Sequence, residues 1–237
     1  MENLFSQEQN SYSKEISREF FRNVYSYMFA ALAISGVLAY LCGTPQFFVK
    51  YFVTSQGGIS PLFYVVAFAP IGLGLLIQMA YNRLSLFFLS ALFVAYSALM
   101  GVSLGVIFLV YSGAAIASTF FVTAGAFAAM AILGYTTKTD LTKMGSLLYM
   151  AFIGIFIAGV VNIFMKSDML GFIIAVIGVF VFTGLTAYYM QKLKSVSTDV
   201  SLSGIDRNKI ALVGGLQLYI LFVNLFLSLL RLLGNRN

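Results

Sequence analysis

The chain has 237 residues, of which 60% are hydrophobic and only 9% charged, and its 14 Lys and Arg against 8 Asp and Glu leave a net charge of +6. Ordinary soluble domains carry roughly 25% charged residues, and a water-exposed exterior needs more polar cover than this sequence holds. Composition therefore excludes a soluble globular fold and points to the lipid bilayer, where backbone polar groups must be bonded within the chain as helices or a closed barrel.

Barrel strands would alternate in polarity over short segments. The apolar runs here are long and unbroken, so the expected fold is all-α, a polytopic transmembrane helical bundle. In chain order, residues 1–22 form a hydrophilic leader in which Glu2, Glu8, Glu15 and Glu19 alternate with Lys14, Arg18 and Arg22. It lacks the compact apolar core and cleavage site of a secretory signal, so the first span is expected to stay as an anchor. The transmembrane domain takes residues 23–237, with apolar runs at 24–43, 62–81, 84–111, 115–135, 146–165, 169–190 and 210–233. Each approaches or exceeds the ~20 residues that cross ~30 Å of hydrocarbon. Only Tyr111-Ser112-Gly113 separates the third run from the fourth. Seven spans is the reading, and six with a half-inserted segment is the alternative.

Small residues suggest where helices approach closely: Gly101 with Gly105, Gly154 with Ala158 and Gly159, Gly72 with Gly74, and Gly178 with Gly184. Pro70 falls inside the second run, where lipid-embedded helices tolerate a proline kink. With no Trp in the chain, the interfacial belt falls to tyrosines such as Tyr40, Tyr81, Tyr111, Tyr135 and Tyr149.

The basic residues cluster at the ends of the runs, which fits the positive-inside bias and no nucleic-acid partner. With the N-terminus inside, Lys14, Arg18, Arg22, Arg83, Lys138, Lys143, Lys192, Lys194, Arg207 and Lys209 share one side of the membrane. Lys50, Lys166, Arg231 and Arg236 fall on the other. The bias predicts a cytoplasmic N-terminus and an external C-terminus, as an odd number of spans requires.

Catalytic chemistry finds little support. The chain has no His and a single cysteine, Cys42, read as a small apolar residue of the first span. Gly101-Val102-Ser103-Leu104-Gly105 matches the G-x-S-x-G spacing of a nucleophile elbow, but it lies inside an apolar helical run with no base for Ser103. The acids Glu2, Glu8, Glu15, Glu19, Asp140, Asp168, Asp199 and Asp206 all fall in the leader or in loops, so no span offers the paired carboxylates of an intramembrane protease. No cofactor or metal site is expected. In-span polar groups are neutral: Gln78, Asn162, Gln217, Tyr219 and Asn224, with hydroxyls such as Ser90, Ser97, Thr123 and Thr186. Asn162, Gln217, Tyr219 and Asn224 could bond across helices or line a weak polar path, although strong calcium selectivity is hard to build without charge.

Three stretches then stand out together: Phe20-Phe21-Arg22-Asn23-Val24-Tyr25; Gly134-Tyr135-Thr136-Thr137-Lys138-Thr139-Asp140-Leu141, with Met144-Gly145 and Val161-Asn162-Ile163-Phe164; and Thr183-Gly184-Leu185-Thr186-Ala187-Tyr188 with Gln191-Lys192, Leu218-Tyr219, Asn224-Leu225-Phe226 and Leu229-Leu230. Their order and spacing resemble the Bax inhibitor-1 family, in particular its bacterial YccA-like branch, over nearly the whole chain past residue 18. The resemblance implies seven helices with the C-terminal helix central, in a bacterial inner membrane. It also implies one of two activities, a pH-gated calcium leak or the damping of an FtsH-type membrane AAA protease; eukaryotic relatives are associated with suppression of cell death. The family senses pH through an aspartate pair, and the positions matching that pair here are Tyr189 and Leu221. A carboxylate pair sharing a proton makes a titratable latch; a phenol with an ordinary pKa near 10 and an isobutyl group do not. The expected activity is therefore non-enzymatic modulation of a membrane-bound AAA protease, with a Ca2+ or cation leak lacking acid gating as the alternative. The expected partners are the lipid bilayer, that protease, and Ca2+ as a permeant ion in the alternative.

Overall fold

The computed structural model describes residues 2–199 and 202–235, and side chains from residue 14 onward. Arg236 and the side chains of Glu2 and Glu8, which entered the charge reading, lie outside the described residues. Nine helical segments follow one another among the described residues: α1 (Glu2–Cys42), α2 (Pro45–Phe52), α3 (Pro61–Ala80), α4 (Leu86–Leu104), α5 (Ile107–Val110), α6 (Gly113–Thr136), α7 (Thr142–Met165), α8 (Asp168–Ser197) and α9 (Gly204–Leu233). Seven stretches are long and apolar enough to cross a membrane, with α4 and α5 counted together as Leu86–Val110. The six-span alternative is thereby set aside. Ser112, on which the division between the third and fourth spans rested, caps α6 by accepting the Ala115 N–H at 3.2 Å. A serine that satisfies an orphan amide of the first turn starts a new helix.

Three segments extend beyond the expected runs, among them α9, which begins at Gly204 and not near residue 210. Helix α1 runs without interruption from the leader into the first span, and α8 continues past residue 190 to Ser197. Hydropathy marks only the length held in hydrocarbon, whereas the backbone keeps its helical bonds into the headgroup region and beyond. Helix α2 was not expected. Thr44 caps it by accepting the Phe47 N–H at 3.3 Å, and Pro45 occupies its first turn, where a missing N–H costs nothing. A tight turn then returns the chain to α3: Thr54 N–H donates to the Gly58 carbonyl, Gly57 N–H to the Thr54 carbonyl, each at 2.8 Å. Gly57 holds φ +81°, a conformation open to glycine at little cost.

The chain divides into two compact units. Of the described residues, the first comprises 2–111, 197–199 and 202–219, the second 112–196 and 220–235, so α9 contributes its first half to one and its second half to the other. In the first unit α1 packs along α4, and α3 also packs on α4. The buried stripe of α1 is Phe20, Val24, Met28, Ala31, Ser35 and Ala39, spaced three or four residues apart as one helical face requires. Opposite it lies Gly101 of α4, where an added Cβ would stand 2.7 Å from the Ser35 carbonyl oxygen. The Gly101/Gly105 step thus serves the close approach expected of it. Within the same unit α9 meets α1 at Gly215, whose missing side chain accommodates the Val24 carbonyl.

The second unit is held by similar devices. Gly134 of α6 abuts the backbone of Ala187 in α8, and Gly145 of α7 lies under the Tyr188 ring. Gly184 faces Leu148, and Gly178 faces the Ser228 hydroxyl. Phe222 receives Phe120 and Phe127 edge-on, with ring centroids 5.4 and 5.5 Å away. The face expected at Gly154, Ala158 and Gly159 has no such neighbour: a Cβ at Gly154 or Gly159 would meet nothing within 4 Å. None of the most apolar window of α7 is buried. Small residues open a face to close packing without determining that another helix takes it.

Among the seven spans α9 is the most enclosed, with 67% of its apolar window buried. Its stretch from Ala211 to Leu230 carries Leu212, Leu216, Leu218, Tyr219, Leu225 and Leu230, all at most 1% exposed.

Candidate functional site

The polar groups inside the spans are mostly engaged locally. Pro70 has no N–H, so the Val66 carbonyl one turn earlier in α3 lacks its usual helical donor. Ser103 of α4 covers it, with Oγ 2.8 Å from the Val66 oxygen and 3.0 Å from the Leu99 oxygen of its own helix. The serine of the G-x-S-x-G match is thus a packing and hydrogen-bonding group, and α3 runs unbroken through its proline because a neighbour replaces the missing donor. Ser97, Thr123 and Thr186 likewise donate to carbonyls four residues back.

Asn162 stands at the end of α7. Its Oδ1 accepts the Ser167 N–H at 3.1 Å and its carbonyl accepts the Lys166 N–H at 2.8 Å, which closes the helix as Lys166 turns to φ 50°. Asn224 donates from Nδ2 to the Ile220 carbonyl of α9 at 2.8 Å, and Ser228 donates to the Asn224 carbonyl. Gln78 is exposed, and Gln217 is half-buried.

Tyr219 is fully buried in the first unit. Its ring meets Tyr96 edge-on at 6.1 Å, and its hydroxyl lies beside Ser35 without a hydrogen-bond partner of acceptable geometry among the described residues. Tyr189 and Leu221 both belong to the second unit. Leu221 is 3% exposed; Tyr189 is half-buried, with the Lys192 ammonium 5.9 Å from its ring centroid. Gln217 and Tyr219 thus fall in one unit, and Asn162, Asn224, Tyr189 and Leu221 in the other.

Every described carboxylate is exposed, Asp140, Asp168, Asp199 and Asp206 included. None folds back into the interior, the one arrangement that would restore a charged cation route. Among the described residues no three of His, Cys, Asp and Glu gather where they could hold a metal ion. Asp206 sits in the first turn of α9, where Ser203 Oγ donates to its carboxylate at 2.6 Å and accepts the Asp206 N–H at 3.1 Å. Asp140 Oδ1 accepts the Thr142 hydroxyl at 2.6 Å and the Thr142 N–H at 2.9 Å. These bonds, the hydroxyl's first, hold its carboxyl below the ordinary aspartate range, with help from Lys143.

At this end of the second unit the structure joins two of the stretches that carried the family resemblance. Gln191 of α8 accepts the Leu141 N–H and donates to the Thr139 carbonyl, both at 2.8 Å. One turn further, Lys194 Nζ donates to the Tyr135 carbonyl at 2.7 Å and stands 4.9 Å from the Tyr135 ring centroid. The segment between α6 and α7 is thereby clamped to the end of α8. No spacing rule pairs residues some 50 apart in the chain, so the roles of Gln191 and Lys194 were invisible as such; their presence in or beside the shared motif was the available signal.

A family model described as inhibitor of apoptosis-promoting Bax1 matches residues 17–237. An uncharacterized protein of Borreliella burgdorferi is 42% identical over 93% of this chain and 94% of its own length. The inner membrane protein YbhL of Escherichia coli K12 is 40% identical over 90% of each chain. An uncharacterized protein of Caulobacter vibrioides is 42% identical over 92% of this chain and 88% of its own.

Proposed function

This chain belongs to the Bax inhibitor-1 family, and on that premise we propose that it is a non-enzymatic modulator of membrane protein quality control, acting on a membrane-bound AAA protease of the FtsH type. The observation that carries this reading is the uncharged interior: every described carboxylate is exposed, and the positions matching the family's acid pair hold Tyr189 and the buried Leu221. A cation route gated by protons needs a group that changes charge near neutrality and sits along the path. Here Asn162 and Asn224 are tied to nearby backbone, and Leu221 contributes only packing. That leaves helix contacts and the hydrophilic N-terminal leader as the means of action.

The protein resides in a bacterial inner membrane, the location named for its relative YbhL. By the distribution of Lys and Arg, its N-terminus is cytoplasmic and its C-terminus periplasmic. The leader then lies on the side where an FtsH-type protease works.

Co-purification of the membrane protease with the full chain, and with a chain lacking residues 1–13, tests the reading. The deletion stops short of Ser17, which is hydrogen-bonded to Ser197, and of the buried Phe20. Enrichment with the full chain, reduced on shortening, is expected; no enrichment with either chain refutes the proposal. The second reading, a cation leak without acid gating, draws on the neutral polar residues that the sequence places in the spans, Asn162, Gln217, Tyr219 and Asn224. Calcium flux into proteoliposomes at mildly acidic and mildly alkaline pH separates the two. The modulator reading expects little flux at either, and a large pH-dependent flux would overturn it.

A further inference from the structure

The clamped end of the second unit carries an unbalanced positive charge. Lys138 lies just past α6, Lys143 in the first turn of α7, and Lys192 and Lys194 in the last two turns of α8, with Asp140 the one acid among these segments. The contacts of Gly134 with Ala187, Gly145 with Tyr188, and Gln191 with Leu141 bring these three helix ends side by side. Lys194 is engaged by Tyr135, and the Asp140 carboxylate is taken by Thr142. Lys138, Lys143 and Lys192 are exposed and form no ion pair with an acid among the described residues.

We propose that Lys138, Lys143 and Lys192, brought together at the α6–α7 connection and the end of α8, form a docking surface for the phosphate of an anionic phospholipid in the adjoining leaflet. Three features favour lipid as the occupant. Each lysine lies within about two turns of the edge of an apolar span, at the depth of the headgroups. The Tyr189 ring lies beside Lys192 and the Tyr135 ring beside the neighbouring Lys194, and amphipathic rings settle at that same boundary. The segment bearing Lys138 is fixed by the two Gln191 bonds, so little ordering opposes binding. At the other end of the unit Lys166 and Arg231 are accompanied by Asp168, and no comparable grouping of cations arises.

The test uses the full chain in phosphatidylcholine vesicles containing a minor fraction of spin-labelled phosphatidylglycerol, with spin-labelled phosphatidylcholine as the reference. The fraction of immobilised label gives the selectivity of the protein surface for the anionic lipid. The wild type should favour phosphatidylglycerol by roughly five-fold for each lysine engaged, the preference shrinking in high salt. Lys138→Gln, Lys143→Gln and Lys192→Gln together should remove most of the preference, leaving what the other basic residues of that side supply, while the corresponding Lys→Arg triple and Lys166→Gln should retain it. The exposed positions allow all three variants to fold, which circular dichroism checks. Selectivity equal in the wild type and the Gln triple overturns the proposal. So does displacement of the label by inorganic phosphate, which marks a free-anion site, or by an acidic peptide, which marks a protein-binding surface.

Discussion

The bond from Ser103 to the Val66 carbonyl makes a prediction about how a membrane helix carries a proline. Removing the hydroxyl by Ser103→Ala leaves a carbonyl that Pro70 cannot serve. An unsatisfied buried polar group costs ~1–3 kcal/mol, and hydrogen bonds between membrane helices measure ~0.6 on average and up to ~1.7 kcal/mol. Val66 and Ser103 are half-buried, so the loss should lie near 1 kcal/mol, toward the lower part of these ranges. Pro70→Ala changes the accounting. The substituted alanine supplies the N–H that the helix was missing, and Val66 regains its partner within α3. Ser103 can then donate to Leu99 alone, 3.0 Å away, so its removal no longer orphans the α3 carbonyl.

The four proteins of this double-mutant cycle can be unfolded reversibly by raising the fraction of a denaturing detergent in mixed micelles. Ser103→Ala should cost about 1 kcal/mol with Pro70 present and about half of that or less in the Pro70→Ala background, a coupling near the average for such pairs. Whatever straightening Pro70→Ala causes cancels around the cycle. Isotope labelling of the Val66 carbonyl gives a second readout, because loss of its donor should raise the stretching frequency in the Ser103→Ala protein alone. Equal losses in both backgrounds, with no shift of the labelled band, would show that Ser103 stabilises the protein by some other contact.

Three further outcomes follow from the packing and the charges. Gly134→Leu should destabilise the second unit by several kcal/mol or prevent assembly, since an added Cβ already collides with the Ala187 backbone, whereas Gly154→Leu should fall within about 0.5 kcal/mol of the wild type in the same unfolding assay. Gln191→Ala should speed hydrogen exchange at the Leu141 amide, which loses its only side-chain acceptor in that clamp, while amides in the middle of α8 keep their protection. For Asp140, whose carboxyl is held low by Thr142, the contribution to stability is complete above the ordinary aspartate pKa and disappears as pH falls through the depressed folded value. The stability gap between the wild type and Asp140→Asn should therefore close with acidification over that window, and a gap unchanged at low pH would mean that the carboxylate's charge is irrelevant there.

What the sequence reveals about this chain and what it conceals divide along a physical line. Hydropathy located the seven spans, and even the weak separation at Tyr111-Ser112-Gly113 proved to be a capped helix start, because crossing hydrocarbon constrains each segment by its own composition. The continuation of α1 through the leader and of α8 to Ser197 was not visible, since a helix outside the hydrocarbon has no apolar requirement to betray it. The small-residue steps were half-informative: Gly101 is pressed against Ser35, while Gly154 and Gly159 face open space. The sequence can permit close approach, but the partner is a tertiary fact. The same holds for function. The roles of Gln191, Lys194 and Ser103 depend on residues some 37 to 59 positions away. Side chains that bond their own helix, such as Thr123 and Thr186, add no information about neighbours. Those that cross to another segment hold the helix ends in register, and they do so at the end where the lysines collect. The Gln191 bonds that fix that end are neutral and use none of Lys138, Lys143 and Lys192, so the clamp leaves these three ammonium groups at the surface.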